Sequence, residues 1–212
     1  MPSVHALALF SLATIALLII PGPAVLFIVT RSVDQGRSAG LVSVLGIHLG
    51  TVVHVLAAAL GISAVLAASQ TAFDVVRYAG AAYLVVLGVR TLIRRADGAA
   101  ASPENAPLRR IFWQGVVVNV LNPKTALFIV AFLPQFVDPS RGSATAQVLV
   151  LGGVFIALGL VSDSTYALGA ARAGARLRAW SRFASVQRYA SGAVYIGLGL
   201  AAALTGSRPR RS

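Results

Sequence analysis

Six apolar runs, each about as long as a helix needs to cross a roughly 30 Å hydrocarbon core, dominate this 212-residue sequence. They are Val4–Thr30, Gly40–Ala67, Ala72–Ile93, Ile111–Val137, Thr145–Ala170 and Tyr189–Thr205. The pattern predicts an all-α, polytopic membrane protein with about six transmembrane helices. Little chain is left over, so a single transmembrane domain, 1–212, is expected, with no separate catalytic module. The first run has no basic segment ahead of it and five further spans follow, so it reads as a retained helix and not a cleaved leader. Composition agrees. The chain is 57% hydrophobic and 11% charged, with a mean hydropathy of +0.81, whereas soluble domains carry roughly a quarter charged residues.

The net charge of +12 would suggest nucleic acid in a soluble protein, so the position of the arginines decides its meaning. They gather at span ends. Arg31 and Arg37 lie between spans one and two, Arg94, Arg95, Arg109 and Arg110 between three and four, and Arg172, Arg176, Arg178 and Arg182 between five and six. Arg141, Arg208, Arg210 and Arg211 fall on the other side, with Arg77 near its edge. The positive-inside rule then places the odd-numbered loops in the cytoplasm of a bacterial inner membrane and both termini in the periplasm. The charge is a topology signal, and no nucleic-acid partner is expected. Cysteine is absent, which removes disulfides and thiolate metal ligation.

The chain also repeats itself. Pro21-Gly22-Pro23-Ala24-Val25-Leu26-Phe27-Ile28-Val29 aligns with Asn122-Pro123-Lys124-Thr125-Ala126-Leu127-Phe128-Ile129-Val130, and Leu-Phe-Ile-Val follows a proline break twice. Arg77-Tyr78-Ala79 answers Arg188-Tyr189-Ala190, and Leu87-Gly88 answers Leu198-Gly199 at the same offset. Val44-Leu45-Gly46 and Val150-Leu151-Gly152 add a weaker match. Three plus three spans follow, with repeat one about 4–93, a linker about 94–110, repeat two about 111–205 and a basic tail 206–212. An odd number of helices per unit makes the second enter from the opposite side, an inverted-topology repeat of the kind that suits alternating access.

Several polar residues interrupt the apolar runs. Pro21-Gly22-Pro23 removes two backbone donors and adds a flexible residue, so span one should kink or break. A break frees amides at the start of the second half-helix, near Gly22 and Ala24, where the positive end of the dipole can hold a carboxylate. Span four carries Asn119-Val120-Leu121-Asn122-Pro123-Lys124, with the chain's only lysine deep in an apolar stretch. A charge there costs roughly 3 kcal/mol on insertion scales, so it lines a cavity or has a partner. Lys124 either holds a substrate carboxylate or is paired structurally. Asn119 and Asn122 share a helix face and either contact substrate or bond between helices. Asp163 is the one acidic residue well inside a span. Desolvation favours the neutral form of such a carboxyl, so it can take up and release a proton; alternatively it holds a permanent bridge to Lys124 or an arginine. His48 and His54, six apart, point about 120° from each other, a poor metal pair. One of them can relay protons, or both are packing residues. Gly46 and Gly50 read as a small-xxx-small helix contact.

Taken in order, Pro21-Gly22-Pro23, Arg31…Gln35-Gly36-Arg37…Gly40, Gly46…Gly50…His54, Ala79-Gly80-Ala81-Ala82-Tyr83-Leu84…Leu87-Gly88, Gln114-Gly115…Asn119…Asn122-Pro123-Lys124 and Phe132-Leu133-Pro134-Gln135-Phe136 resemble the LysE/RhtB amino-acid exporter family over nearly the whole chain. The resemblance implies a bacterial inner-membrane permease that exports amino acids or close derivatives by proton antiport, without a cofactor, and in oligomeric form. Combined with the residues, it suggests a zwitterion held between the breaks of spans one and four. Pro21, Gly22, Pro23, Ala24, Asn119, Asn122, Pro123 and Lys124 are the candidate substrate residues, and Asp163, His48 and His54 the candidates for proton coupling. Export of another small solute or a metal ion on the same scaffold is the alternative, although one acid and two misaligned histidines make a thin ligand set. An enzyme would need a nucleophile, a base or a metal cluster at matched spacing. The sequence has no HExxH and no paired intramembrane carboxylates.

Overall fold

A computed structural model describes residues 1–68 and 106–178, with a few isolated positions elsewhere. The expected third and sixth spans, most of the linker and the basic tail lie outside the described residues. Every regular element among the described residues is helical: α1 (Val4–Ile19), α2 (Pro23–Ala68), α3 (Leu108–Val120), α4 (Pro123–Leu127) and α5 (Ala144–Arg178). Two helical stretches, Pro23–Gly61 and Ala144–Ala173, are long and apolar enough to cross a membrane by length and composition, the first of them interrupted at Gly36, and the bent pair Leu108–Val120 and Pro123–Phe136 makes a third.

Helix α1 starts where the Ser3 hydroxyl accepts the Ala6 amide at 3.0 Å, a side-chain N-cap. It stops at Ile20, whose backbone is extended, because Pro21 and Pro23 cannot donate to the carbonyls four residues back. The break expected in span one is therefore present. Helix α2 begins at Pro23, where a missing N–H costs nothing in a first turn.

The loop expected between spans one and two shrinks to one residue. Gly36 has φ 80° and ψ −171° while its neighbours stay helical, a conformation that residues with a Cβ rarely adopt. The chain reverses there. A Cβ on Gly40 would collide with the Ser32 hydroxyl, eight residues back and about 12 Å away along a continuous helix. Residues 23–35 and 37–68 are thus two arms of a hairpin.

Span four is not continuous either. Helix α3 ends at Leu121, and α4 starts at Pro123 with a bend of 48°. The Asn122 side chain accepts the Lys124 amide at 3.1 Å and so caps the second half. A π-helical turn, Phe128–Phe132, and a 3-10 turn, Leu133–Phe136, follow; Pro134 in the latter cannot join a regular ladder.

The long arm of α2 packs against α3 and α5, and α1 lies on α5. Glycine sets the α2–α3 distance. A Cβ on Gly50 would lie 2.9 Å from both Asn119 Cβ and Val116 O, and one on Gly115 would lie 3.0 Å from Ser43 O. The small-residue contact expected from Gly46 and Gly50 is what the structure uses. Phe10, Phe128, Phe132, Phe136 and Phe155 knit α1, the π turn and α5 together, with Phe10–Phe128 and Phe128–Phe155 ring centroids 5.7 and 5.3 Å apart. Outward positions are apolar, among them Leu12, Leu45, Leu56, Leu60 and Val161, while Thr51, Asn119, Asn122, Lys124, Thr125 and Asp163 are buried. This arrangement suits lipid as the surrounding solvent.

Candidate substrate site at the helix breaks

Three prolines leave three backbone carbonyls without their helical donor, and each carbonyl is met by a side chain from another helix. Pro21 has no N–H for Leu17 O, and Lys124 Nζ donates there at 2.7 Å and to Ile20 O at 2.5 Å. Pro23 has none for Ile19 O, which accepts the Tyr166 hydroxyl of α5. Pro123 has none for Asn119 O, which lies 3.0 Å from His54 Nε2 and also accepts the Asn122 amide. A carbonyl only accepts, so His54 carries its proton on Nε2. The breaks are stitched to α4, α5 and α2 respectively, and the two broken spans meet at their breaks.

Asn119 is fully engaged. Its amide nitrogen donates to Ile47 O and Thr51 Oγ1, both at 2.8 Å, and its oxygen accepts from Thr125 Oγ1 at 2.9 Å and Asn122 Nδ2 at 3.2 Å. Asn122 is likewise spent on Asn119, Thr125 and the Lys124 amide. Asn119 bonds across to α2, whereas the Asn122 side chain bonds only within span four.

Asp163, 3% exposed, faces His48 of α2, with Oδ2 3.2 Å from Nε2. The distance is that of an ion pair, but the two atoms are not aligned for a hydrogen bond, and Asp163 Oδ1 and His48 Nδ1 have no hydrogen-bond partner among the described residues. Gly159, one turn before Asp163, lets the imidazole in; a Cβ there would lie 2.5 Å from His48 Cε1. A bridge from Asp163 to Lys124 or an arginine is not formed among the described residues. The two histidines diverge as their spacing predicts, His48 toward α5 and His54 toward α3.

A cavity of about 30 Å³ joins these groups, walled by Gly22, Ala24, His48, Asn119, Lys124 and Asp163 among others. It suffices for water and falls tenfold short of the roughly 300 Å³ at which small-molecule pockets begin. The site is closed. Pro21, Pro23 and Pro123 shape it by the donors they lack, while Gly22, Ala24, Lys124, Asp163 and His48 line it and His54 braces the α3 break. Tyr166, Thr51 and Thr125 were missed from the sequence. Their signal was helical spacing, since Tyr166 follows Asp163 by three residues and Thr51 follows His48 by three.

An all-helical, apolar-surfaced membrane protein with a buried polar cluster where two broken segments meet has the architecture expected of a membrane translocator. Residues 15–206 match the family described as LysE type translocator. The chain is 32% identical over 201 residues to an uncharacterized membrane protein of Pseudomonas aeruginosa, covering 90% of this chain and 91% of that one. It is 32% identical to the homoserine/homoserine lactone efflux protein of Salmonella typhimurium, over 74% of this chain and 77% of that protein. It is 31% identical to the leucine efflux protein of Salmonella choleraesuis, over 61% and 62% respectively. No solved structure matches. The chain belongs to the LysE type translocator family, whose members are transporters and not enzymes.

Proposed function

We propose that this protein exports amino acids or close derivatives across the bacterial inner membrane by proton antiport. The relatives named for homoserine and leucine efflux set the substrate class. Alternating access between two inverted three-helix repeats, about 4–93 and about 111–205, is the motion proposed, with both termini periplasmic and a homo-oligomer as the assembly. One observation supports the site above others: the break in span one presents carbonyls at Leu17 and Ile20 on one side and the first-turn amides of Ala24 and Val25 on the other, and Leu17, Ala24 and Val25 line the same small cavity. Helix polarity makes the first end negative and the second positive. A zwitterion suits such a pair. Gly22, at the cap of α2, has no side chain to occupy those amides, whereas Asn122 fills the corresponding place on α4. The carboxylate of the substrate is therefore assigned to α2.

Proton coupling is assigned to Asp163 with His48, because the carboxyl is buried and one of its oxygens has no hydrogen-bond partner. His54 serves the backbone of α3. A cavity too small for substrate means that transport requires the walls to part, which fits alternating access.

The test is uptake of labelled leucine, homoserine and other amino acids into inverted vesicles, with and without an imposed proton gradient, for the native chain and Asp163→Asn. Gradient-driven uptake by the native chain is expected, and Asp163→Asn is expected to retain exchange of substrate for substrate but lose the response to the gradient. Absence of movement of any amino acid by the native chain would sink the export reading; a gradient response that survives in Asp163→Asn would sink the coupling assignment alone.

A further inference from the structure

We infer that the Lys124 ammonium is an internal stand-in for the ammonium group of the exported amino acid, seated on the substrate's own subsite at the end of α1 while the carrier is empty. The inference rests on the export reading and names the subsite within it.

The three break carbonyls supply the argument. Ile19 O is satisfied by a neutral hydroxyl from Tyr166 and Asn119 O by an imidazole N–H from His54. The Tyr166 hydroxyl shows that a donor without charge is sufficient to stitch a broken helix. Leu17 O and Ile20 O instead receive the chain's only lysine, 6% exposed, although a buried ammonium is among the costliest groups to place inside a membrane protein. A strut gives no reason for that charge; a site built for a primary ammonium does. Two carbonyls that converge on Nζ form such a site, at the negative end of a sixteen-residue helix.

The same break offers α2 amides to a carboxylate, and an α-amino acid carries both groups on one carbon. Such a ligand cannot place its ammonium on Leu17 O and Ile20 O while Lys124 remains there. A second seat exists in the same cavity. Asp163 Oδ1 has no hydrogen-bond partner among the described residues, and Asp163 and Lys124 both line the cavity. Substrate entering from the cytoplasm displaces the Lys124 ammonium toward ionised Asp163, which has released its proton inward. Substrate leaving outward lets Asp163 take a periplasmic proton and Lys124 return to the carbonyls. One proton enters for each amino acid exported, and the lysine has a polar partner in both states.

The variants Lys124→Met and Lys124→Gln read this out, with equilibrium binding of leucine and homoserine measured on the purified full chain in lipid nanodiscs. Removing an internal competitor raises apparent affinity by the inverse of the fraction of free sites. Both variants are expected to bind the amino acid about tenfold more tightly than the native chain, where Lys124 fills the site roughly nine-tenths of the time. They should also gain protection against thermal unfolding by methylammonium, which the native chain lacks. Gln keeps one neutral donor for Leu17 O, so it reports even where Met fails to fold. In the native chain the single lysine, labelled at 15Nζ, should give a resonance that moves on saturation with leucine and stays in place with its 2-oxo analogue. Weaker or unchanged binding in the variants, or a resonance that bound leucine leaves unmoved, overturns the inference and leaves the export reading intact. A native chain that binds none of the amino acids removes the export reading and this inference with it.

Discussion

Each proline in the two breaks removes one helical donor, and a side chain from far away in sequence answers it: Lys124 reaches back 107 positions to Leu17 and Tyr166 reaches 147 to Ile19. The chemistry of the demand is local, but its satisfaction is not. Asn119 concentrates the most bonds of any residue at the site, so its loss should be felt first as instability. Asn119→Leu, similar in size and apolar, removes one partner each from Asn122, Thr125 and Thr51 and should cost about 1–3 kcal/mol. Thr51→Val removes one acceptor from an amide that keeps Ile47 O, and about 1 kcal/mol or less is expected. Unfolding of both variants in lipid bicelles tests the order; equal costs would show that the network adds nothing beyond single bonds. The candidate residues were visible in the sequence because each breaks an apolar run. Their partners were not, because which way a side chain points depends on how each helix is rotated about its axis, and hydrophobic periodicity is weak when all faces of a helix are apolar. Lys124 shows this best: its depth was legible, but its carbonyl partners were not.

Elements divide into those that the sequence specifies and those that packing reshapes. Pro-Gly-Pro and Asn-Pro were enough to break spans one and four, since a missing donor acts wherever the helix sits. The turn at Gly36 was expected as a loop and is one residue long, since the adjoining Ser32 and Gly40 close directly on each other. The π and 3-10 turns between Phe128 and Phe136 could not be read from composition; they follow from Pro134 and a crowd of phenylalanines seeking the same core. Glycines on the α2–α3 contact should be far less tolerant than a glycine facing open space. Gly50→Ala places a methyl against Val116 O and Asn119 Cβ, both 2.9 Å away, and should cost about 1–3 kcal/mol through forced backbone separation. Gly153→Ala meets no atom within 4 Å and should be neutral, or more stable by up to about 1 kcal/mol from helix propensity. Thermal unfolding of the two variants side by side decides it, and a tolerant Gly50 would disprove the close contact.

At the scale of the whole molecule the two ends differ. At one end the Met1 amine donates to Arg141 O at 2.8 Å, so the start of α1 and the 138–142 turn lie together. At the other, Arg31 Nη2 donates to Gln114 Oε1 at 2.7 Å, drawing the Gly36 turn toward the start of α3, where Arg109 and Arg110 sit. The basic cluster is the end that the positive-inside rule assigns to the cytoplasm. A chain without cysteine is ready for labelling: Ser140→Cys and Ser38→Cys, both at exposed positions, mark opposite ends. An impermeant maleimide should modify Ser140→Cys in spheroplasts and Ser38→Cys only after lysis; the reverse pattern would invert the proposed orientation.

By itself the sequence determined the solvent of this protein, its helical class, the places where two helices must break and the family it resembles, because these depend on local hydrophobicity and on donors that proline lacks. The pairing of His48 with Asp163, the exclusion of Lys124 from that pair, the service of His54 and Tyr166 to distant carbonyls and the small volume of the cavity were decided only in the tertiary structure. They depend on the rotation and spacing of helices set by glycine contacts and aromatic packing, which bring together groups that no short stretch of chain contains.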